Sequence, residues 1–194
     1  SAYPGVGPPN TEYTESILEI YRSSTYQAYG SFSICQKIHL LPGHYKLAMQ
    51  GFYRDGDIYE SAQIRALGQE KLDALLFVDD MEIPLKSIYA ESKSTEERGW
   101  ETQTAMGYVP STMQGAGYTF QSGAYWNVLE FDVEAESDVE IGVRGRESVN
   151  YNNWTTIDNF RLTYYGVPAP CTSQLYIEPF TIQPGESKEM TIDL

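Results

Sequence analysis

The residues best suited to ligand chemistry in this chain are aromatic rings set beside polar side chains. Trp100, Tyr108, Tyr125, Trp126 and Trp154 all fall in or next to stretches that read as loops. Tyr53-Arg54-Asp55 and Asn152-Asn153-Trp154 each place an aromatic ring beside hydrogen-bonding groups. Sugars present apolar C–H faces that stack on such rings, and their hydroxyls need polar partners. Tyr53, Arg54, Trp100, Trp126, Asn153 and Trp154 are therefore the candidate ligand-binding residues. Any one of these rings has a plainer reading, as a cap on an end of the core. For the set as a whole, at least one exposed binding aromatic is expected.

Other chemistry is less well supported. His39 and His44 are the only histidines, and neither an HExxH pattern nor a His/Cys cluster accompanies them, so they read as surface or turn residues. Asp55-Gly56-Asp57 looks like part of a calcium loop but lacks its later ligands and closing Glu, and reads as a turn. There is no phosphate-binding loop, no GxGxxG and no GxSxG elbow. With 27 acidic residues, no particular carboxylate pair stands out as a glycosidase couple, and nothing favours a Ser-His-Asp set. The chain is expected not to be an enzyme. Its two cysteines, Cys35 in a strand-like run and Cys171 in a Pro-rich stretch, are too few for a disulfide framework and fit no zinc spacing. An oxidising compartment would permit them to pair without requiring it.

Composition narrows the partners. The formal net charge is −14, and no basic cluster interrupts it. A nucleic-acid binder needs a basic footprint, and anionic lipid repels an acidic surface, so neither is an expected partner. No apolar run approaches the roughly 18 residues of a membrane-spanning helix, and no signal peptide is legible. Hydrophobic residues make up 41% of the chain, enough for a globular core, and Tyr leads the aromatics with sixteen copies.

The elements that must carry these side chains are mostly strands. The Pro/Gly-rich opening, residues 4–9, reads as a surface loop. Residues 17–22 form a short apolar run, and residues 31–38 alternate through Phe32, Ile34 and Ile38. Leu41-Pro42-Gly43-His44 is a turn, and residues 44–53 alternate Tyr45, Leu47, Met49, Gly51 and Tyr53 against Lys46, Ala48, Gln50 and Phe52, so the pair reads as a hairpin. Short helices are expected over 58–72, stopped near Gly68, and over 113–120, with Ser111 as N-cap and Gly123 as stop. Further strands are expected at 74–78, 125–133, 139–143 and 155–165, with a polar loop at 91–99. This pattern predicts an all-β sandwich with one or two short helices over residues 1–166. A stiff Pro-rich linker follows at 167–174. Residues 175–182 and 190–194 then read as two strands around the turn Gln183-Pro184-Gly185-Glu186. About twenty residues cannot bury a core alone, so they open a second β-domain or dock on the first.

Several segments resemble a family of secreted Bacteroidetes modules with a galactose-binding-like jelly-roll fold. They are Leu41-Pro42-Gly43-His44-Tyr45-Lys46-Leu47, Gly51-Phe52-Tyr53-Arg54, Gly107-Tyr108-Val109-Pro110-Ser111-Thr112-Met113, Gly123-Ala124-Tyr125 and, closest of all, Asn153-Trp154-Thr155-Thr156-Ile157-Asp158-Asn159-Phe160-Arg161-Leu162-Thr163-Tyr164. The last is also similar to the closing strand of several carbohydrate-binding modules, where the Asp of an Ile-Asp-Asp/Asn pair often helps hold a structural calcium. The resemblance thus implies Asp158 as the metal candidate and a structural calcium as the cofactor. The tail resembles the start of a cohesin-like or Ig-like domain. The function implied is a non-catalytic carbohydrate-binding module of a secreted or cell-surface multidomain protein, on the outer-membrane side, with a glycan or cell-surface protein as partner besides its own neighbouring domains. The alternative is a structural or protein-interaction module that spaces or docks those domains.

Overall fold

The structure, a computed structural model, describes residues 3–6, 17–21, 31–97, 99–146 and 152–167. In chain order the strands and helices are β1 (Tyr3–Val6), β2 (Leu18–Tyr21), β3 (Phe32–Leu40), β4 (Gly43–Arg54), α1 (Ile58–Ala66), β5 (Ala74–Val78), β6 (Met81–Pro84), β7 (Lys86–Ser87), β8 (Glu101–Thr104), β9 (Gly107–Pro110), α2 (Met113–Gln121), β10 (Trp126–Val133), β11 (Ser137–Gly145) and β12 (Trp154–Gly166). The expected linker, the strands expected at 175–194 and Cys171 lie outside the described residues.

The protein is an all-β sandwich carrying two short helices. One sheet runs β1-β2-β12-β4-β10, with β7 added in parallel to the end of β4. The other runs β3-β11-β5-β6, and β8 and β9 form a separate hairpin. Between the two large sheets lies a core built from alternate residues. Tyr45, Leu47 and Met49 of β4 and Leu129, Phe131 and Val133 of β10 meet Leu76, Val78, Val139 and Val143 of the facing sheet. Their period of two is what one buried face of a strand requires.

β4 is buried on its other face as well. Phe52 is fully buried and packs its ring against Phe120, Tyr125 and Trp154, with centroids 5.0–5.8 Å away. This second cluster adds Ala62 of α1 and Ala116 of α2, so both helices cover the outer face of the sheet at this end. Thr112 caps α2 by accepting from the Gly115 amide at 3.0 Å, in place of the expected Ser111. Asp57 caps α1, and the helix ends at Ala66, two residues before Gly68 at φ +68° and six short of the expected length.

A buried amide fastens the two layers together. Gln50 lies on the helix-covered face of β4, and its Nε2 donates to the carbonyls of Phe120 and Ala124, both at 2.7 Å. Its Oε1 accepts from Asn159 Nδ2 at 2.7 Å. Asn159 sits at φ +55° in a bulge of β12, in the left-handed region where Asn is tolerated better than most residues. Asn127 of β10 does similar work: its Nδ2 donates to the carbonyls of Gly51 and Tyr125, and its Oδ1 accepts the Lys86 amide that begins β7.

Three parts of the sequence reading are corrected. The two strands expected to form a hairpin around Leu41-Pro42-Gly43-His44 do not pair: β3 pairs with β11 and β4 with β12 and β10, so this turn carries the chain from one sheet of the sandwich to the other. Tyr3–Val6 is a strand paired with β2, where a surface loop was expected; Pro4 fits because β1 ends the sheet. Residues 86–110 also hold three short strands that their polar composition concealed.

Two predictions follow from these contacts. Gln50→Leu strips two buried carbonyls and the Asn159 amide of their partner and should cost about 2–4 kcal/mol in urea unfolding; a loss below about 0.5 kcal/mol would show that the clamp carries no stability. His39, on the exposed end of β3, has its ring nitrogens 2.7 Å from Glu136 and 2.8 Å from Asp138. The hydrogen bond to Glu136, then that to Asp138, raises its pKa above 6.5. Because the folded value is the higher, its contribution to stability is complete below pH 6.5 and is lost as pH rises through the folded pKa. An NMR titration should place His39 above 6.5, with Glu136→Gln lowering it; a wild-type midpoint at or below 6.5 would refute the pairing.

Candidate functional site

The start of β12, the end of β4, β2 and the N-terminus of α2 meet around a cleft of about 250 Å³. Trp154 and Arg54 line it, with Glu19, Tyr21, Thr112 and Met113. β12 and β2 run antiparallel with Trp154 opposite Tyr21, and on its other side Trp154 is opposite Arg54. Register alone therefore sets an indole between a guanidinium and a phenol.

Each of these groups is fixed. Trp154 is buried, and its Nε1 donates to Glu19 at 2.6 Å. Arg54 is also buried; its Nε donates to the Gly56 carbonyl at 2.9 Å, its Nη2 to the Asn152 carbonyl at 3.1 Å, and its guanidinium lies 5.3 Å from the centre of the Trp154 ring. Burial lowers the Arg54 pKa from its ordinary value, yet a guanidinium remains charged across the physiological range. Asn153 lies outside the cleft lining, beside a separate small pocket with Tyr53 and Thr155, and its Oδ1 accepts from the Gly56 amide at 2.8 Å, fixing the turn that Arg54 also holds. Asn152, at φ +64°, accepts the Tyr21 hydroxyl at 3.1 Å. Tyr21 is the ring left open to solvent, 43% exposed.

The cleft gathers some of the sequence-selected residues and leaves others apart. Arg54 and Trp154 line it, and Asn153 does not, acting instead on the Gly56 turn behind it. Tyr53 points to the opposite face of β4, where its buried ring joins the core between the sheets. Half-buried Trp100 stacks on Tyr118 of α2 with centroids 4.6 Å apart, beside a separate pocket of about 190 Å³ that includes Lys93, Glu97 and Glu101. Trp126, on β10, lies under the Arg161 guanidinium at 4.5 Å. Tyr108 is half-buried on β9, and Tyr125 is wholly buried, its hydroxyl donating to the Ile88 carbonyl. Sequence reasoning missed Glu19 and Tyr21. Their signal was their spacing of two in the short run 17–22, which places them on one face.

The resemblance implied a calcium at Asp158. Calcium takes six to eight oxygen ligands, usually several of them carboxylates. Asp158 Oδ1 accepts the amide of the next residue, Asn159, at 2.7 Å. Among the described residues no group of three or more His, Cys, Asp or Glu side chains is placed to hold a metal ion. Among the described residues, the carboxylates around Asp158 thus do not make a carboxylate-rich calcium site. Asp55-Gly56-Asp57 has structural partners in place: Asp57 caps α1, and Asp55 accepts the Lys71 amide at 3.2 Å.

No protein family, no curated protein and no solved structure matches this chain. The cleft must therefore be read from its own chemistry. It has one open aromatic face, a buried cation and a carboxylate held within a few ångströms of the same indole, and the hydroxyl of Thr112 on its rim. Such a surface can stack on an apolar ring face and exchange hydrogen bonds with hydroxyls.

The fixed geometry gives a test of the site's architecture. Arg54→Met should leave the carbonyls of Gly56 and Asn152 without their charged donor and lower stability by about 2–3 kcal/mol. It should also quicken amide exchange at residues 55–57 and 152–154 more than in β5; uniform exchange changes would mean that Arg54 does not organise these turns.

Proposed function

We propose that this chain is a non-catalytic carbohydrate-binding module of a secreted or cell-surface multidomain protein, with its glycan seated in the cleft beside Tyr21. The observation that carries this reading is the exposed Tyr21 ring, tethered through its hydroxyl to Asn152 and set next to the fixed Arg54, Trp154 and Glu19. A stacking ring that is already held loses little freedom when a sugar lands on it. Arg54 and Glu19 offset one another at the cleft, and the chain as a whole carries −14, so the fitting ligand is a neutral glycan rather than a sulfated or uronate-rich one.

In this reading the polar groups of the cleft orient a ligand and do not transform it. Arg54 is engaged with backbone carbonyls, and Glu19 accepts from an indole N–H, so both are committed to holding shape. The sandwich would be a jelly roll of the galactose-binding-like kind, which the largely antiparallel pairing of its two sheets supports. The alternative, a module that spaces or docks its neighbours, draws on exposed apolar side chains along β12.

A glycan-array screen of the folded chain tests the proposal. Neutral glycans should give the hits, and Tyr21→Ala should weaken them about tenfold, the value of a lost aromatic contact. Chelating calcium should leave the hits unchanged. Folded protein that binds no glycan, or Tyr21→Ala that binds as well as the parent, would remove the reading.

A further inference from the structure

The sandwich is open along one side. One edge of β12 pairs with β4 along nearly its whole length, while the other meets β2 only over Trp154–Ile157. Beyond Ile157 no strand among the described residues pairs with that second edge. The side chains there stand at core positions: Leu162 is in register with Leu47 and Tyr164 with Tyr45, both buried between the sheets. Directly opposed residues share a face. Yet Phe160, Leu162 and Tyr164 are 44%, 37% and 49% exposed. Phe160, with Ile34 and Ile141 of the facing sheet, lines a mainly apolar opening of about 270 Å³. Core-facing side chains left open to water beside an unpaired strand edge mark a place for one more strand.

We propose that residues 175–182 of this same chain supply that strand, lying antiparallel to β12 along residues 159–166. The two stretches are equal in length, and the residues between Val167 and Leu175 suffice for the chain to turn back. Leu175 and Ile177, two residues apart and so on one face of a strand, bring apolar side chains that the opening lacks. Pro179 has no N–H to offer a further neighbour, which suits a strand that ends its sheet. The stretch leading into β2, residues 7–16, has Tyr13 as its one large apolar side chain and cannot fill the opening. A second copy would bring −14 against −14, whereas a segment tethered just beyond β12 acts at roughly millimolar effective concentration. The proposal is independent of the glycan cleft.

Hydrogen exchange read by mass spectrometry on the full chain tests it. Peptides covering 159–166 and 175–182 should both exchange slowly, and Ile177→Asp should speed both by about tenfold or more, with β5 as the unchanged internal reference. Leu162→Ala should speed exchange at 175–182 from the other side. If Ile177→Asp disturbs β5, Ile177→Ala repeats the comparison. Exchange at 175–182 as fast as in an unstructured chain overturns the proposal. So does an Ile177 variant that leaves 159–166 unchanged, and so does protection that grows with protein concentration, the signature of a second copy.

Discussion

Everything in this protein is arranged around one strand that, from Leu47 to Arg54, is buried on both faces. β4 lies inside its sheet, carries the inter-sheet core on one side and the two helices on the other, and pairs with three other strands. A strand buried on both faces has no room for an unsatisfied polar group. Gln50 sits at that position and is tolerated because its Nε2 donates to two carbonyls and its Oε1 accepts from Asn159. The amide thereby ties the end of α2, the middle of β4 and the bulge of β12 to one point. Phe52, one pair of residues further along, adds the apolar half of the same junction.

The cleft inherits its shape from this junction. α2 is held at its C-terminal end by Gln50 and presents Thr112 and Met113 to the cleft at its N-terminal end. Trp154 packs on Phe52 with its ring and reaches Glu19 with its Nε1, so it transmits the position of β4 to β2. Arg54 extends the same strand into the turns at Gly56 and Asn152. The open ring of Tyr21 is thus the outermost part of a chain of contacts that begins in the core.

Much of this was legible in the sequence, for definite reasons. The strands β3 and β4, the strand at Ala74–Val78 and the long closing strand all show a period of two or a compact apolar run, which burial imposes directly, but alternation does not say which strands pair, and β3 and β4 went to different sheets. The helix signals were legible too, because Gly68 and Gly123 adopt the positive φ that marks a stop. β8 and β9 were hidden because Glu101-Thr102-Gln103-Thr104 is polar throughout, and such a hairpin is defined by its backbone pairing rather than by burial. Gln50 looked like an outward-facing polar residue, since a pattern cannot reveal that helices cover the outer face. The aromatic set was a good guide to place and a poor guide to exposure. Trp154 does anchor the cleft, but as a buried wall, while the exposed ring, Tyr21, came from a six-residue run too short to show its period.

The division of labour within α2 has an evolutionary consequence. Its buried positions, Gly115, Ala116, Gly117, Thr119 and Phe120, face the sheet, while Thr112 and Met113 at its entrance are at least partly exposed and touch the cleft. These two residues are not free of structural duty, however, for Thr112 caps the helix and Met113 packs against the second core cluster. The mouth of the cleft and the stability of α2 therefore cannot vary independently: a lineage that altered the one would have to restore the cap or the packing elsewhere.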